Sequence, residues 1–168
     1  MCDGHLAALN PLFARNNILI SVRNINTIAI IDGATRKIVW LWGPTNLNFQ
    51  HHPRLLENGN ILVFDNGTEN SRILELDMVT KKIEWLYDPG DYRFFTSGRG
   101  SNQRLPNGNT LITESNKGIA FELSPTGRIV WQFNNPKKNE EKQRVAIWRL
   151  TRFEEDALLF LEKTTDKF

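Results

Sequence analysis

Histidine, arginine and glutamine side chains occur together in two segments that each precede a predicted strand. The candidate binding residues in these segments are Gln50, His52, Arg54, Arg99 and Gln103, and His51 lies among them. Neutral imidazole is a nucleophile or a general base near pH 7, and guanidinium offers a fixed fork of donors to sulfate or phosphate oxygens. The two residue types together indicate binding of, or attack on, an anionic centre.

The third histidine, His5, also precedes a repeated unit, so all three histidines hold the same class of position. A single histidine there is more often structural or exposed than catalytic, and both readings stay open. Side chains alternate across a strand, so His51 and His52 cannot both point into one channel if extended. Pro53 favours the extended region for His52, so one of the pair is expected to be structural. No cysteine or carboxylate cluster accompanies them at ligand spacing, so no metal site is predicted.

The elements that must position these residues form an internal repeat. Three segments align, NNILISVRNINTIAIIDGATRKIVWLWGP from Asn16, NGNILVFDNGTENSRILELDMVTKKIEWLYDPG from Asn58 and NGNTLITESNKGIAFELSPTGRIVWQFNNP from Asn107. Trp40, Trp85 and Trp131 occupy the same place in each, 45 and 46 residues apart. A period of this length indicates a repeat architecture.

Each unit reads as an antiparallel meander, because short β-branched and aromatic runs alternate with turn residues. In the second unit the predicted strands are Pro53–Leu56, Asn60–Asp65, Ser71–Asp77 and Lys82–Tyr87. Asn58-Gly59 and Asn107-Gly108 predict tight turns after the first strand of the second and third units. Four strands in about 45 residues is the size of a β-propeller blade.

We therefore predict an all-β fold, a β-propeller of four-stranded antiparallel blades, with the three tryptophans packed between neighbouring sheets. The repeat runs for about three and a half units, near 5–44, 45–90, 91–136 and 143–168. The last unit is predicted to contain the strands Arg144–Arg152 and Ala157–Glu162. Closed propellers have about four to eight blades, so we expect a fragment of a larger propeller or one half of a homo-oligomer that completes the ring. A four-bladed ring with irregular ends is the less favoured alternative.

Composition excludes several classes of partner. The 168 residues carry 21 Lys and Arg and 19 Asp and Glu, and this net charge of +2 is too small and too dispersed to predict a nucleic-acid or membrane partner. The single cysteine cannot form an intrachain disulfide or a thiolate metal cluster. No signal peptide is visible, which predicts a cytoplasmic location for the chain as written.

Several blocks of the sequence resemble the arylsulfotransferase family of β-propellers. They are ILISVRNINTIAIID, QHHPRLLENGNILVFDNG, GSNQRLPNGNTLITES and GRIVWQFNNP, and they occur in order from about Asn17 to Pro136. The glutamine-histidine block with FDNG is fairly specific, whereas LPNGNTL and IVW recur in other propellers. Members of this family are largely exported, so the resemblance implies a periplasmic or secreted location if the chain is a piece of such a protein.

The resemblance implies a six-bladed propeller that moves a sulfuryl group from an aryl sulfate to a phenol through a transiently sulfated histidine, without a diffusible cofactor. His51 is the first candidate for a catalytic role because Gln50-His51 matches the family's block. Arg72 most nearly matches the arginine that follows the FDNG turn, and His5 lies where an early histidine of the family would lie. No histidine follows His52, so a histidine that the family supplies from a later blade is absent from this sequence.

Two other function classes stay open on the sequence alone. A part-propeller without chemistry would serve as a binding or interaction module, because propellers carry many unrelated functions. A pyrroloquinoline-type dehydrogenase shares the recurrent tryptophan, but the calcium-site carboxylates are not evident.

Overall fold

The computed structural model describes residues 1–90 and 94–154, and their regular structure is almost entirely β. The strands are β1 Ile18–Val22, β2 Thr27–Ile31, β3 Ile38–Trp42, β4 His51–Leu55, β5 Ile61–Asp65, β6 Arg72–Leu76, β7 Ile83–Tyr87, β8 Ser101–Arg104, β9 Thr110–Glu114, β10 Ile119–Leu123 and β11 Ile129–Asn134. Two short 3₁₀ helices occupy Pro11–Phe13 and Arg23–Ile25. No helix among the described residues has the length and apolarity to cross a membrane.

The strands form three antiparallel sheets in which neighbours along the chain are neighbours in space. The first sheet is β1-β2-β3, the second is β4-β5-β6-β7 and the third is β8-β9-β10-β11. The inner strand β4 contacts both β1 and β8, so the sheets stand side by side around a common region. Within the described residues they do not close into a ring. The predicted all-β propeller fold of antiparallel blades is confirmed.

The first sheet differs from the prediction, because its described part has three strands rather than four. The residues before β1 form turns and a 3₁₀ helix where an inner strand was expected. Pro11 opens that helix, and the Asn10 side chain accepts a hydrogen bond from the Leu12 amide at 3.0 Å. Asparagine before proline is a typical start for a helical turn, and this local signal prevails over the repeat.

The predicted strand Arg144–Arg152 is also wrong. Apart from one isolated bridge at Arg144, this segment has no strand pairing. It lies beside the third sheet through separate hydrogen bonds, such as the Ile147 amide to the Ser115 carbonyl at 3.1 Å and the Leu150 amide to Thr113 Oγ1 at 3.1 Å. Single backbone and side-chain hydrogen bonds therefore take the place of a regular ladder. The predicted strand Ala157–Glu162 lies outside the described residues.

Trp40 and Trp85 join neighbouring sheets as predicted, whereas Trp131, on the edge strand of the third sheet, is exposed and packs against no further sheet among the described residues. Trp40 Nε1 donates to the carbonyl of Met78 at 3.1 Å, and Trp85 Nε1 donates to the carbonyl of Pro125 at 3.3 Å. One apolar core lies between the first two sheets and a second, rich in phenylalanine, lies between the second and third. These cores fix the spacing of the inner strands.

An ion pair accompanies two of the tryptophans. Glu75 on β6 lies opposite Trp85 and accepts from Arg104 Nη2 of the next inner strand at 2.7 Å, while the Arg104 guanidinium lies 4.9 Å from the Trp85 ring centroid. Glu122, opposite Trp131, pairs with Arg152 in the same way. Each glutamate also accepts from two asparagine side chains of the preceding Asn-Gly-Asn turn.

The first sheet replaces this ion pair with an apolar pair. Ile30 lies opposite Trp40, at the place of Glu75, and Leu55 holds in β4 the place of Arg104 in β8, because each faces the first residue of the following strand. Ile30 and Leu55 belong to the same apolar cluster. Both residues of the pair are apolar here, so neither leaves an unpaired buried charge.

Replacing the ion pair of Glu75 and Arg104 by an apolar pair tests whether it is equivalent to the pair of Ile30 and Leu55. Arg104→Leu alone leaves the buried Glu75 carboxylate without its cation and should lower the free energy of unfolding by about 3 kcal/mol. Adding Glu75→Ile reproduces the Ile30 and Leu55 arrangement and should recover more than half of that loss in urea titrations. A double variant whose loss equals or exceeds the sum of the two single losses would contradict the equivalence.

Candidate functional site

His51 opens β4 and is held by a fully buried asparagine at the end of β5. His51 Nδ1 lies 2.7 Å from Asn66 Oδ1. The Asn66 amide nitrogen donates to the carbonyls of Thr96 and Arg99, at 2.7 and 2.9 Å. Because that nitrogen faces two acceptors, Oδ1 must face His51 and accept a proton from Nδ1. The Nε2 lone pair of the neutral ring is then directed away from Asn66.

Arg99 faces that lone pair from the loop that leads into β8. Its amide nitrogen lies 3.4 Å from His51 Nε2, a long hydrogen bond. The next residue, Gly100, has φ +94° and packs on the Phe64 ring, where a Cβ would come within 2.8 Å of the ring carbons. The glycine therefore permits the close approach that brings Arg99 to His51. The Arg99 guanidinium stacks on the exposed ring of Trp148, 3.9 Å from its centroid.

A second arginine, Arg23, reaches the same region from the end of β1. Its guanidinium lies 4.5 Å from the centroid of the Phe49 ring, and Nη2 donates to the carbonyl of Ser97 at 3.3 Å. It therefore joins the loop before β4 to the loop before β8. We call this end of the inner strands the histidine mouth, formed by Arg23, Phe49, His51, Asn66, Arg99 and Trp148.

Left-handed backbone conformations occur around His51. Phe49, His52 and Arg99 have φ of 58°, 51° and 66°. Such conformations cost about 1–3 kcal/mol each for residues with side chains, and they often occur at functional sites.

His52 departs from the prediction, because Pro53 does not hold it in the extended region. A β-bulge between His51 and Arg54 places His52 at φ 51°. The extra residue breaks the alternation of side chains, so both imidazoles face the third sheet. His52 Nδ1 accepts from the Asn102 amide at 3.3 Å, and the Asn102 side chain donates to the His52 carbonyl at 3.1 Å. Burial lowers the pKa of His52 to about 4, with further lowering by Arg149 and Arg54.

Gln50 is fully buried and is not open to a ligand. Its Nε2 donates to Ser21 Oγ at 3.0 Å and to the carbonyl of Thr27 at 2.9 Å. These bonds attach the start of β4 to the first sheet. Gln50 therefore positions His51, and the structure does not place it in contact with the mouth's solvent.

Arg72 begins β6 at the edge of the second sheet where His51 begins β4. Because β5 lies between these strands, their backbones are about 10 Å apart. Its Nε donates to Asp65 Oδ2 at 2.8 Å, and its Nη2 donates to the carbonyl of Asn46 at 2.6 Å. Burial raises the pKa of Asp65, although the Asn48 amide and Arg72 oppose this. The pair holds the loop before β4, so Arg72 reaches His51 only through that loop.

His5 lies at the opposite end of the inner strands. His5 Nε2 is 3.1 Å from Glu57 Oε2, two residues beyond the end of β4, whereas His51 begins that strand. Its Nδ1 contacts Asp3, and this hydrogen bond raises the pKa of His5. The expected convergence of the three histidines is wrong for His5, because the residues before β1 form no inner strand to carry it to the mouth.

Gln103 and Arg54 also lie toward that far end. Gln103 Nε2 donates to the carbonyl of Arg152 and Gln103 Oε1 accepts from its amide, both at 2.9 Å. Arg54 is half-buried, and burial lowers its pKa, as does the nearby Arg149.

Among the described residues, no group of three or more His, Cys, Asp or Glu could hold a metal ion.

Four members of the histidine mouth were not predicted from the sequence. Phe49 lies next to Gln50, but it is not a residue type that indicates anion binding. Asn66 belongs to the FDNG turn, and asparagine is so common in turns that its presence there does not indicate a functional role. Arg23 follows a strand of the first unit, outside the segments that precede inner strands. Trp148 lies outside the tryptophan repeat. Only three-dimensional contacts distinguish them, of Asn66 with His51, of Trp148 with Arg99 and of Arg23 with Phe49 and Ser97.

The low pKa of His52 predicts a pH-dependent stability. Between about pH 6.5 and about 4 the unfolded chain binds a proton at His52 that the folded chain does not bind, so the free energy of unfolding falls as the pH is lowered through this window. His52→Gln should lose less stability between pH 7 and pH 4.5 than the unaltered chain, measured by urea titration at each pH. His5→Gln is the control with the opposite sign, because the pKa of His5 is raised. Equal losses in the unaltered chain and His52→Gln would contradict the prediction.

A solved β-propeller structure confirms the fold. The chain is similar to the β-propeller domain of Cps50 (Swd1) from Myceliophteria thermophila, with a TM-score of 0.53 and 17% identity over 77% of this chain and 40% of that chain. It is also similar to a protein of unknown function from Bacteroides caccae, with a TM-score of 0.43 and 19% identity over 70% of this chain and 57% of that one. The chain thus spans less than two thirds of either structure. No curated protein matches it.

Residues 5–136 match the family model described as arylsulfotransferase (ASST). This range contains the three sheets and every residue of the histidine mouth except Trp148. Since the match covers most of the sequence, the chain belongs to the arylsulfotransferase family.

Proposed function

We propose that the histidine mouth binds an aryl sulfate and that His51 passes its sulfuryl group to a phenol. The observation that carries this proposal is the hydrogen bond from His51 Nδ1 to Asn66 Oδ1. It leaves the Nε2 lone pair of the neutral ring as the reactive group, facing the backbone amide of Arg99. A neutral imidazole with a fixed tautomer is the form that acts as a nucleophile.

The proposed reaction has two displacements at sulfur. In the first, the His51 Nε2 lone pair forms an N–S bond while the bond from sulfur to the aryl oxygen breaks, and the phenolate leaves with that electron pair. In the second, the oxygen of the acceptor phenol attacks the same sulfur, the N–S bond breaks and the pair returns to Nε2. The acceptor's proton is taken by the departed phenolate or by water, so charge and atoms balance.

The arginines of the mouth suit the anion in this reaction. Guanidinium groups bind sulfate oxygens through charge-assisted hydrogen bonds, and they would offset charge on the sulfuryl group as it moves. The backbone amide of Arg99 now faces Nε2 at 3.4 Å and would turn to a sulfuryl oxygen when the lone pair attacks. The exposed Trp148 ring offers a flat surface for an aryl group.

A binding module without chemistry is the second candidate, and one observation favours it. Both ring nitrogens of His51 and two of the nitrogens of Arg72 already have hydrogen-bond partners within the chain. A site used only for binding would keep those partners. Binding of 4-nitrophenyl sulfate without release of 4-nitrophenol, in the presence of phenol, would support this candidate and contradict the first.

Replacing His51 tests the nucleophile. The full chain should release 4-nitrophenol from 4-nitrophenyl sulfate with phenol as acceptor, and His51→Ala should lower kcat by about three orders of magnitude or more. His5→Ala is the matched control, because it removes a histidine from the far end of the inner strands and should leave kcat unchanged. Full activity in His51→Ala would remove His51 from the reaction.

Replacing Asn66 tests the positioning of that nucleophile. Asn66→Ala frees the His51 ring to rotate and to change tautomer, so kcat should fall by about 10- to 100-fold. The KM for 4-nitrophenyl sulfate should change less than about twofold, because Asn66 would not touch the donor. A variant whose KM rises while kcat is unchanged would show that Asn66 acts on binding instead.

A further inference from the structure

A cavity of about 780 Å³ lies at the end of β4 and β8 opposite the histidine mouth. Its wall is formed by the last residues of both inner strands, by the turns that follow them and by residues 152–154. We call it the Arg54 cavity. The proposed sulfuryl transfer does not use it, and its volume is in the range of sites that hold small organic ligands.

Arg54 lines this cavity as a cation without a counter-charge in the described ranges 1–90 and 94–154. It is half-buried, yet it forms no hydrogen bond or ion pair within the described part of the chain. Arg149 is near enough to lower its pKa further after burial has done so. Arg104 and Arg152, which line the same cavity, each have a glutamate partner. A partly desolvated charge is costly until an anion pairs with it.

The strand register shows that an inner strand can carry an uncharged residue at the position that Arg54 has in β4. Arg54 pairs with Leu62 and Gln103 pairs with Leu111, the second residue of the next strand in each sheet. Arg54 is therefore the counterpart of Gln103, whose carboxamide bonds the backbone of Arg152. Arg54 makes no such bond to the next inner strand, so its guanidinium is available to a ligand.

A second donor of the cavity wall also lacks a partner. Arg104 Nε is buried and has no hydrogen-bond partner among the described residues, although both of its other nitrogens have one. The carboxylate deepest in the wall, Glu75, is already paired with Arg104. Glu57 and Glu154 are exposed at the rim. Among the residues that the structure describes, the interior of the cavity thus has unused donors and no unpaired carboxylate.

Leu56, Pro106 and Phe153 add an apolar wall beside these donors. Guanidinium groups bind carboxylate, sulfonate and sulfate oxygens through parallel hydrogen bonds. We propose that the Arg54 cavity binds a small organic anion, with its oxyanion group on Arg54 and its apolar body against Leu56, Pro106 and Phe153. The site is separate from the histidine mouth and does not depend on sulfuryl transfer.

Naphthalene-2-sulfonate is a suitable probe, because its sulfur is bonded to carbon and cannot be transferred. Isothermal titration calorimetry of the full chain should show binding that Arg54→Gln weakens by about 10- to 100-fold, the effect of a lost charge-assisted hydrogen bond. This variant should fold, since it installs in β4 the residue that β8 carries at the equivalent place. Arg54→Lys keeps the charge and should weaken binding less than Arg54→Gln does.

Arg99→Gln separates the two sites, because the probe also resembles the aryl sulfate proposed for the histidine mouth. This variant removes a guanidinium from the mouth and should retain the binding that Arg54→Gln weakens. Absence of binding to the unaltered chain, unchanged affinity in Arg54→Gln, or loss of affinity in Arg99→Gln alone would overturn the proposal. If Arg54→Gln does not fold, methyl NMR of the unaltered chain decides. Shifts of the Leu56 methyl signals on adding the probe support the site, and bound probe without such shifts overturns it.

Discussion

The hydrogen bond between His51 and Asn66 is the contact on which the histidine mouth depends. Asn66 ends a strand of the second sheet and holds two carbonyls of the loop that begins the third sheet. The same side chain therefore fixes the imidazole and places Arg99 in front of it. Its amide group has one arrangement that satisfies all three partners, so the tautomer of His51 follows from the packing of two sheets rather than from His51 itself.

That arrangement requires the sheets to keep a constant separation, and two kinds of contact provide it. Between the second and third sheets, Glu75, Arg104 and Trp85 combine an ion pair with a stacked guanidinium. Between the first and second sheets, Ile30 and Leu55 do so by apolar contact alone. Both contacts lie toward the far end of the inner strands, whereas Asn66 and Gln50 join the sheets at the mouth. Each inner strand is thus attached at both ends.

Local sequence signals predicted the strands and turns well, because β-branched runs and Asn-Gly dipeptides act over a few residues. The structure's β4 to β7 differ from the predicted strands of the second unit by at most two residues at either end. Features that depend on a competing contact were not predictable. His52 adopts a left-handed conformation because of a bulge, and the segment before β1 forms a 3₁₀ helix that leaves His5 far from His51. Arg72 matches the family's pattern in residue type, yet its guanidinium is hydrogen-bonded to Asp65 and to the loop before β4.

The two ends of the inner strands therefore differ in chemistry, with an imidazole of fixed tautomer at one end and an unpaired guanidinium at the other. Asn66 places the proton of the neutral His51 ring on Nδ1 and leaves the lone pair on Nε2. Long-range ¹H–¹⁵N correlation NMR of the full chain measures this directly. We expect a protonated Nδ1 and an unprotonated Nε2 for His51, and a neutral ring with its proton on Nε2 would contradict this role of Asn66.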